Sequence, residues 1–181
     1  MTQPHSTFRS LCGAAAFGAL ALVLPACGTG GPAAASAPVI SASGFRSLGP
    51  ALAVSAQPSA DELAAAGAAG YRTVVNFRPA GEPGVLADEA AIVGAAGMRY
   101  VSIPVSGHGF EASHAAALDA VLADASSGPV LMHCKSGVRA KGVWAIWLAK
   151  FGGRTPDQAL EEADRAGLSG DAKAAVEKIV R

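Results

Sequence analysis

Residues 129–151 read PVLMHCKSGVRAKGVWAIWLAKF, and the fold turns on this stretch. Val130 to His133 is a short apolar run suited to a buried strand, while Gly137 to Lys150 carries helical periodicity. The chain therefore passes from strand to helix through Cys134-Lys135-Ser136-Gly137-Val138-Arg139. A helix start presents unpaired backbone N–H groups and the positive end of the helix dipole, which together favour an anion.

Each residue of that loop has a chemical reading. The electropositive helix start favours the thiolate of Cys134, which makes it a nucleophile. Arg139, five positions on, offers a planar fork of N–H donors that matches two phosphate oxygens. Gly137 permits positive φ, so that successive N–H groups of Lys135, Ser136, Gly137 and Val138 can turn inward on one anion. His133 is expected to hydrogen-bond near the sulfur or the loop carbonyls and to orient the base of the site.

Working outward, strands and helices alternate. Ala51 to Ser55 reads as a strand; Ser59-Ala60-Asp61-Glu62 is a capping-box pattern that opens a helix to about Ala66. Thr73 to Phe77 is rich in β-branched residues and reads as a strand, followed by an Ala-rich helix from Val85 to Ala96 stopped by Gly97. Arg99 to Ile103 is the next strand and Ser113 to Ala125 a helix. Beyond the loop helix, Thr155 caps a helix that begins with Pro156 and runs to about Arg165, and Asp171 to Val180 forms a more polar outer helix. This alternation predicts an α/β sandwich with a central, largely parallel sheet flanked by helices, whose ligand sits beyond the carboxyl ends of the strands.

The arrangement of His133, Cys134 and Arg139 resembles the His-Cys-five-residues-Arg signature of the cysteine-dependent protein tyrosine phosphatase superfamily, including its dual-specificity branch. Further stretches, Ser55 to Ser59, Gly70 to Pro79 with Glu82, and Tyr100 to Val105, are similar to a bacterial phosphatase-like family labelled beta-lactamase-hydrolase-like or sulfur transferase. The resemblance spans about residues 45 to 166 and implies a tyrosine phosphatase-like sandwich. It also implies a thiol-phosphate intermediate on Cys134, phosphate held by Arg139, and no metal or other cofactor. Two departures stand out. Many superfamily members carry Ser or Thr after the arginine, where this chain has Ala140, and the upstream loop from Pro104 to Glu111 lacks the usual Asp general acid. His108 and Glu111 are the substitutes available to protonate a leaving oxygen.

Arg78 and Glu82 follow a strand end and read equally well as pocket rim or as a solvated ion pair. Trp144 and Trp147 read as packing residues, and Glu161, Glu162 and Asp164 as a hydrated helix face. Neither His5 nor His114 has partners at metal-ligand spacing.

Residues 1–10 hold one Arg and no acid, and residues 11–24 are almost wholly apolar before Leu24-Pro25-Ala26-Cys27. Residues 1–27 thus read as a signal peptide with a lipobox-like end, with lipidation of Cys27 and a membrane anchor facing the periplasm. Residues 28–44 are a low-complexity linker and 45–181 the phosphatase-like domain. In that reading Cys134 is the sole free thiol of an exported chain, and reactivity explains it better than packing. With 14 basic and 14 acidic residues and no basic stripe, nucleic acid binding has no support.

Three functions follow from different classes. The first is a phosphatase acting on a phosphorylated protein or a small phosphoester. The second is a rhodanese-like sulfurtransferase with a Cys134 persulfide, which the preceding His and Arg139 fit less well. The third is a noncatalytic phosphate-binding envelope protein.

Overall fold

A computed structural model describes residues 45–181 of the chain. The expected signal peptide, the lipidated Cys27 and the linker to residue 44 lie outside the described residues. Five strands form one sheet in the order β1-β2-β5-β3-β4: β1 Arg46–Gly49, β2 Leu52–Ser55, β3 Thr73–Asn76, β4 Arg99–Ser102 and β5 Val130–His133. Strands β2, β5, β3 and β4 are mutually parallel, and β1 closes one edge antiparallel to β2. Among the described residues six α-helices flank them: α1 Ala60–Ala68, α2 Glu89–Ala95, α3 Ala112–Ala123, α4 Val138–Lys150, α5 Pro156–Arg165 and α6 Gly170–Val180.

The pleat of β5 sorts its side chains between the two faces of the sheet. Val130, Met132 and Cys134 join a core with Leu52, Val54, Val75 and Phe77, covered by α3 and α4 with α5 and α6 behind α4. Leu131 points to the opposite face, where it packs with Ala53, Leu63, Val74 and Val93 beneath α1 and α2. Apolar side chains on both faces are what a parallel sheet with crossover helices requires.

Local sequence accounts for the helix ends. Ser59 accepts from the Glu62 N–H while Glu62 accepts from the Ser59 N–H, and Thr155 with Gln158 repeats the arrangement ahead of Pro156. The helix expected from Val85 starts instead at Glu89, because Asp88 adopts a left-handed φ of 54° that breaks the preceding turn. Strand β1 was not expected. Its composition is that of a polar edge, and it is held as a strand by pairing Arg46 with Val54 and Ser47 with Ala53. The outer helix α6 buries Ala172, Val176 and Val180 against α4.

Candidate active site

Strand β5 ends at His133, and the chain turns through residues 134–137 into α4. Gly137 stands at the helix N-cap with φ 84°, and an added Cβ there would meet the Ser55 carbonyl oxygen at 3.2 Å. That conformation aims the Gly137 N–H at Cys134 Sγ, 3.1 Å away. Cys134 is 1% exposed at the base of the loop, Lys135 and Ser136 are exposed on its rim, and Val138 is half-buried. Four residues stand between Cys134 and Arg139, one fewer than the superfamily signature named above, so the count of five does not hold for this loop. The helix begins directly after Gly137, which brings Arg139 into its first turn.

Arg139 is 8% exposed and its guanidinium is saturated on one edge. Nη1 donates to Glu82 Oε2 at 2.6 Å and to the Val105 carbonyl at 2.9 Å, and Nη2 donates to Glu82 Oε1 at 2.8 Å. Glu82 also accepts from Arg78 Nε at 3.0 Å. The Arg139 bond, aided by the charges of both arginines, holds the Glu82 carboxyl at about 2, well below its ordinary 4.5. In return the bond to Glu82 raises Arg139 above its ordinary value, and the neighbouring Cys134 sulfur adds to the rise.

Arg78 is buried, and its guanidinium ties the segment after β3 together. It donates to Gln57 Oε1, to the Gly84 carbonyl and to the Pro83 carbonyl, each at 2.7 Å. The Arg78–Glu82 pair is therefore a frame for Arg139 rather than a solvated surface pair.

The loop after β4 continues to pair with β3 through Ile103 N–H on the Asn76 carbonyl and Val105 N–H on the Phe77 carbonyl. Its Phe110 ring packs on α4 at Gly142, where an added Cβ would come within 2.4 Å of the ring. His108 is exposed and stacks on Phe110, with ring centroids 6.2 Å apart. Glu111 is exposed at the start of α3; its carboxylate accepts from Ser113 Oγ and its N–H donates to His114 Nδ1. Both candidate acids thus sit on the segment whose stem, at Val105, is bonded to Arg139.

His133 does not turn to the sulfur or the loop carbonyls. Alternation along β5 sends its ring to the face opposite Cys134, where Nε2 lies 2.6 Å from Glu89 Oε1 of α2. Glu89 Oε2 accepts from Asn76 Nδ2 at 3.0 Å, and the same nitrogen donates to Tyr100 Oη at 3.0 Å. Asn76 Oδ1 accepts the Arg78 N–H at 2.8 Å, which fixes the orientation of the amide. Burial pushes the Tyr100 phenol up, the Asn76 bond opposes that rise, and the nearby Glu89 adds to it. Glu89 escapes sequence reasoning because a Glu in an Ala-rich helix reads as a solvated residue. The signal that could have found it is its position in the first turn of a helix following the Asn76 strand.

The family model for the phosphatase-like domain of beta-lactamase hydrolase-like protein matches residues 44–151. Beta-lactamase hydrolase-like protein of Xylella fastidiosa is 39% identical over 99 residues, covering 52% of this chain and 22% of that protein. Dual specificity protein phosphatase TpbA of Pseudomonas aeruginosa is 32% identical over 123 residues, covering 67% of this chain and 53% of that protein. The chain thus spans about a fifth to a half of the length of these relatives. Among solved structures, a cysteine-to-serine variant of P. aeruginosa TpbA in complex with phosphotyrosine superposes with a TM-score of 0.60 at 27% identity, covering 76% of this chain and 82% of that one. The active form of Tk-PTP superposes at 0.62 with 18% identity, covering 76% and 96%, a likeness of fold.

Proposed function

The chain belongs to the phosphatase-like domain family of beta-lactamase hydrolase-like proteins, and from that membership and the site geometry we propose that it hydrolyses phosphate monoesters through a phosphocysteine on Cys134. The carrying observation is the Cys134 sulfur at the floor of a helix-start loop, with the Gly137 N–H upon it and a preset Arg139 beside it. Substrate is a phosphorylated protein or a small phosphoester; phosphotyrosine is the ligand in the TpbA complex.

A guanidinium has five N–H donors. Glu82 and Val105 take both donors of Arg139 Nη1 and one of Nη2. The second Nη2 donor and Nε lie on the adjacent edge of the plane and are assigned to two phosphate oxygens. The Cys134 thiolate attacks phosphorus, the S–P bond forms, and the ester oxygen leaves with a proton from the acid. His108 is assigned that role, with Glu111 as its alternative. His108 lies in the turn between Val105 and Phe110, whereas the Glu111 carboxylate is engaged by Ser113. Water then hydrolyses the intermediate and returns the thiolate. Ala140 offers no hydroxyl for that departure, so the second step is slow relative to the first.

The short loop favours one second reading. The loop is one residue shorter than the signature, so one fewer backbone N–H is available to a bound anion, and a Cys134 persulfide is the second reading. In that case the domain is a sulfurtransferase. Hydrolysis of p-nitrophenyl phosphate, blocked by vanadate and lost in Cys134→Ser, supports the phosphatase; cyanide-dependent thiocyanate release from thiosulfate without phosphate release overturns it.

Export is part of the proposal. The apolar run of residues 11–24 ahead of Cys27 supports a signal peptide and a lipid anchor that places the domain in the cell envelope. Mass spectrometry of the mature N-terminus tests it: an acylated Cys27 is expected, and an unprocessed N-terminus contradicts it.

A further inference from the structure

Two cations stand beside the Cys134 loop that the chemistry above does not use. Arg46 opens β1 opposite Val54 of β2, and Val54 stands opposite Met132 of β5, so the three form one row of the sheet two residues short of Cys134. Directly opposed residues share a face, so Arg46 reaches over the face on which Cys134 lies. Lys141 sits in the first turn of α4, where its N–H donates to the Gly137 carbonyl.

The end of α5 brings the two head groups together. Arg46 Nη1 donates to the Arg165 carbonyl at 3.0 Å, and Lys141 Nζ donates to the Gly167 carbonyl at 2.9 Å. A Cβ added to Gly167 would touch both cations at once, Arg46 Nη1 at 3.5 Å and Lys141 Nζ at 3.6 Å. Burial, and then the charge of Arg46, lower the Lys141 ammonium below its ordinary value, and the Cys134 sulfur opposes them. The pair is thus within electrostatic reach of the loop.

Capping the carbonyls at the end of α5 takes one of the five guanidinium donors and one of the three ammonium donors. Among the described residues neither cation forms an ion pair, although α5 carries three carboxylates. Glu161 is engaged by Arg165, Glu162 by Arg154 and Asp164 by Lys173. Arg46 is exposed and Lys141 half-buried, so both are open to a ligand. Like charges held side by side repel, and an anion bound between them relieves that repulsion.

We propose that Arg46 and Lys141 form a second anion subsite beside the Cys134 loop, which selects phosphoesters that carry a further anionic group, a carboxylate or a second phosphate. The subsite is two strand spacings from β5, about 10 Å, which is too far for it to share the phosphate held by Arg139 and the loop N–H groups. A flanking group of the substrate is therefore its ligand. Lys135, exposed on the loop rim, is the other cation that such a group could meet.

The inference rests on the ester phosphate binding at Cys134, and its test requires no turnover, so its failure is separable from failure of the phosphatase reading. Calorimetry on the full protein measures binding of three peptides. Each carries a phosphotyrosine mimic whose bridging oxygen is replaced by difluoromethylene, flanked on both sides by Gln, by Glu or by phosphoserine. An anionic flank is expected to tighten binding by about fivefold over Gln, and Arg46→Gln combined with Lys141→Gln is expected to abolish the difference. A gain for phosphoserine alone assigns the subsite to a second phosphate and a gain for Glu as well assigns it to an acidic side chain; either supports the proposal. Equal affinity for all three peptides overturns it, as does a preference that the double variant keeps, which would belong to Lys135. Should the double variant fail to fold, the wild-type amide spectrum decides. The Gly167 resonance is expected to shift with an anionic-flanked peptide and not with the Gln-flanked one, and the same response to all three overturns the inference.

Discussion

Glu82 meets Arg139 edge to edge, with contacts of 2.6 and 2.8 Å across 57 positions of sequence. The pair fixes the plane of the guanidinium before any substrate arrives, and Arg78, itself buried, fixes Glu82. An arginine preset in this way spends less conformational entropy when it binds an anion.

Glu82→Gln therefore lowers kcat/KM for p-nitrophenyl phosphate by up to about 100-fold, because a small misplacement of Arg139 weakens contacts that matter most in the transition state. Steady-state kinetics check this, with Arg139→Lys expected to fall further. The same pair sets an acid window for stability. The folded-state carboxyl titrates at about 2 against an ordinary 4.5, so its contribution is fully present above 4.5 and is lost as pH falls toward 2. Urea denaturation of wild type and Glu82→Gln from neutral pH to about pH 2 should show a stability difference that is constant at the upper end and shrinks across that window.

Gly142 is the position on α4 that admits the Phe110 ring. Gly142→Ala drives a methyl group into the ring at 2.4 Å, which displaces the loop carrying His108. A loss of about 1–3 kcal/mol is expected, read as a lowered melting temperature. Adding Phe110→Leu to Gly142→Ala should recover part of that loss.

Gly137→Ala places a side chain at φ 84° and against the Ser55 carbonyl. The left-handed conformation costs about 1–2 kcal/mol in a non-glycine residue, and the loop relaxes by turning its N–H away from Cys134. Vanadate inhibition should weaken by about tenfold while the far-ultraviolet circular dichroism remains that of the wild type.

His108→Ala is expected to slow hydrolysis of a phosphate with a poor leaving group, such as phenyl phosphate, by about 100-fold while sparing p-nitrophenyl phosphate. Glu111→Ala should change neither, since its contacts serve the start of α3. If only Glu111→Ala shows the leaving-group dependence, the acid has been misassigned.

Much of the architecture was legible because it rests on local signals. The β-branched run at Thr73, the apolar run at Val130, and the capping pairs Ser59 with Glu62 and Thr155 with Gln158 each act within a few residues. Cys134, Gly137 and Arg139 were legible for the same reason, as residues of a single strand-to-helix turn. What escaped depends on distant partners. Strand β1 exists through its pairing with β2, the grip of Glu82 on Arg139 requires two loops to converge, and the burial of Glu89 requires α2 to seat it upon His133 of β5. No periodicity encodes such meetings. The direction of the His133 ring was implicit in the strand's alternation, since Cys134 and its predecessor must face opposite sides of the sheet.

The most direct measurement is the mass of the Cys134 peptide after rapid acid quench of the full protein turning over p-nitrophenyl phosphate. A peptide heavier by one phosphoryl group, absent in Cys134→Ser, is the expected result, and it should accumulate because Ala140 leaves the intermediate unassisted. Phosphate release with no label on Cys134, or a peptide that gains only sulfur from thiosulfate, would contradict the phosphocysteine mechanism.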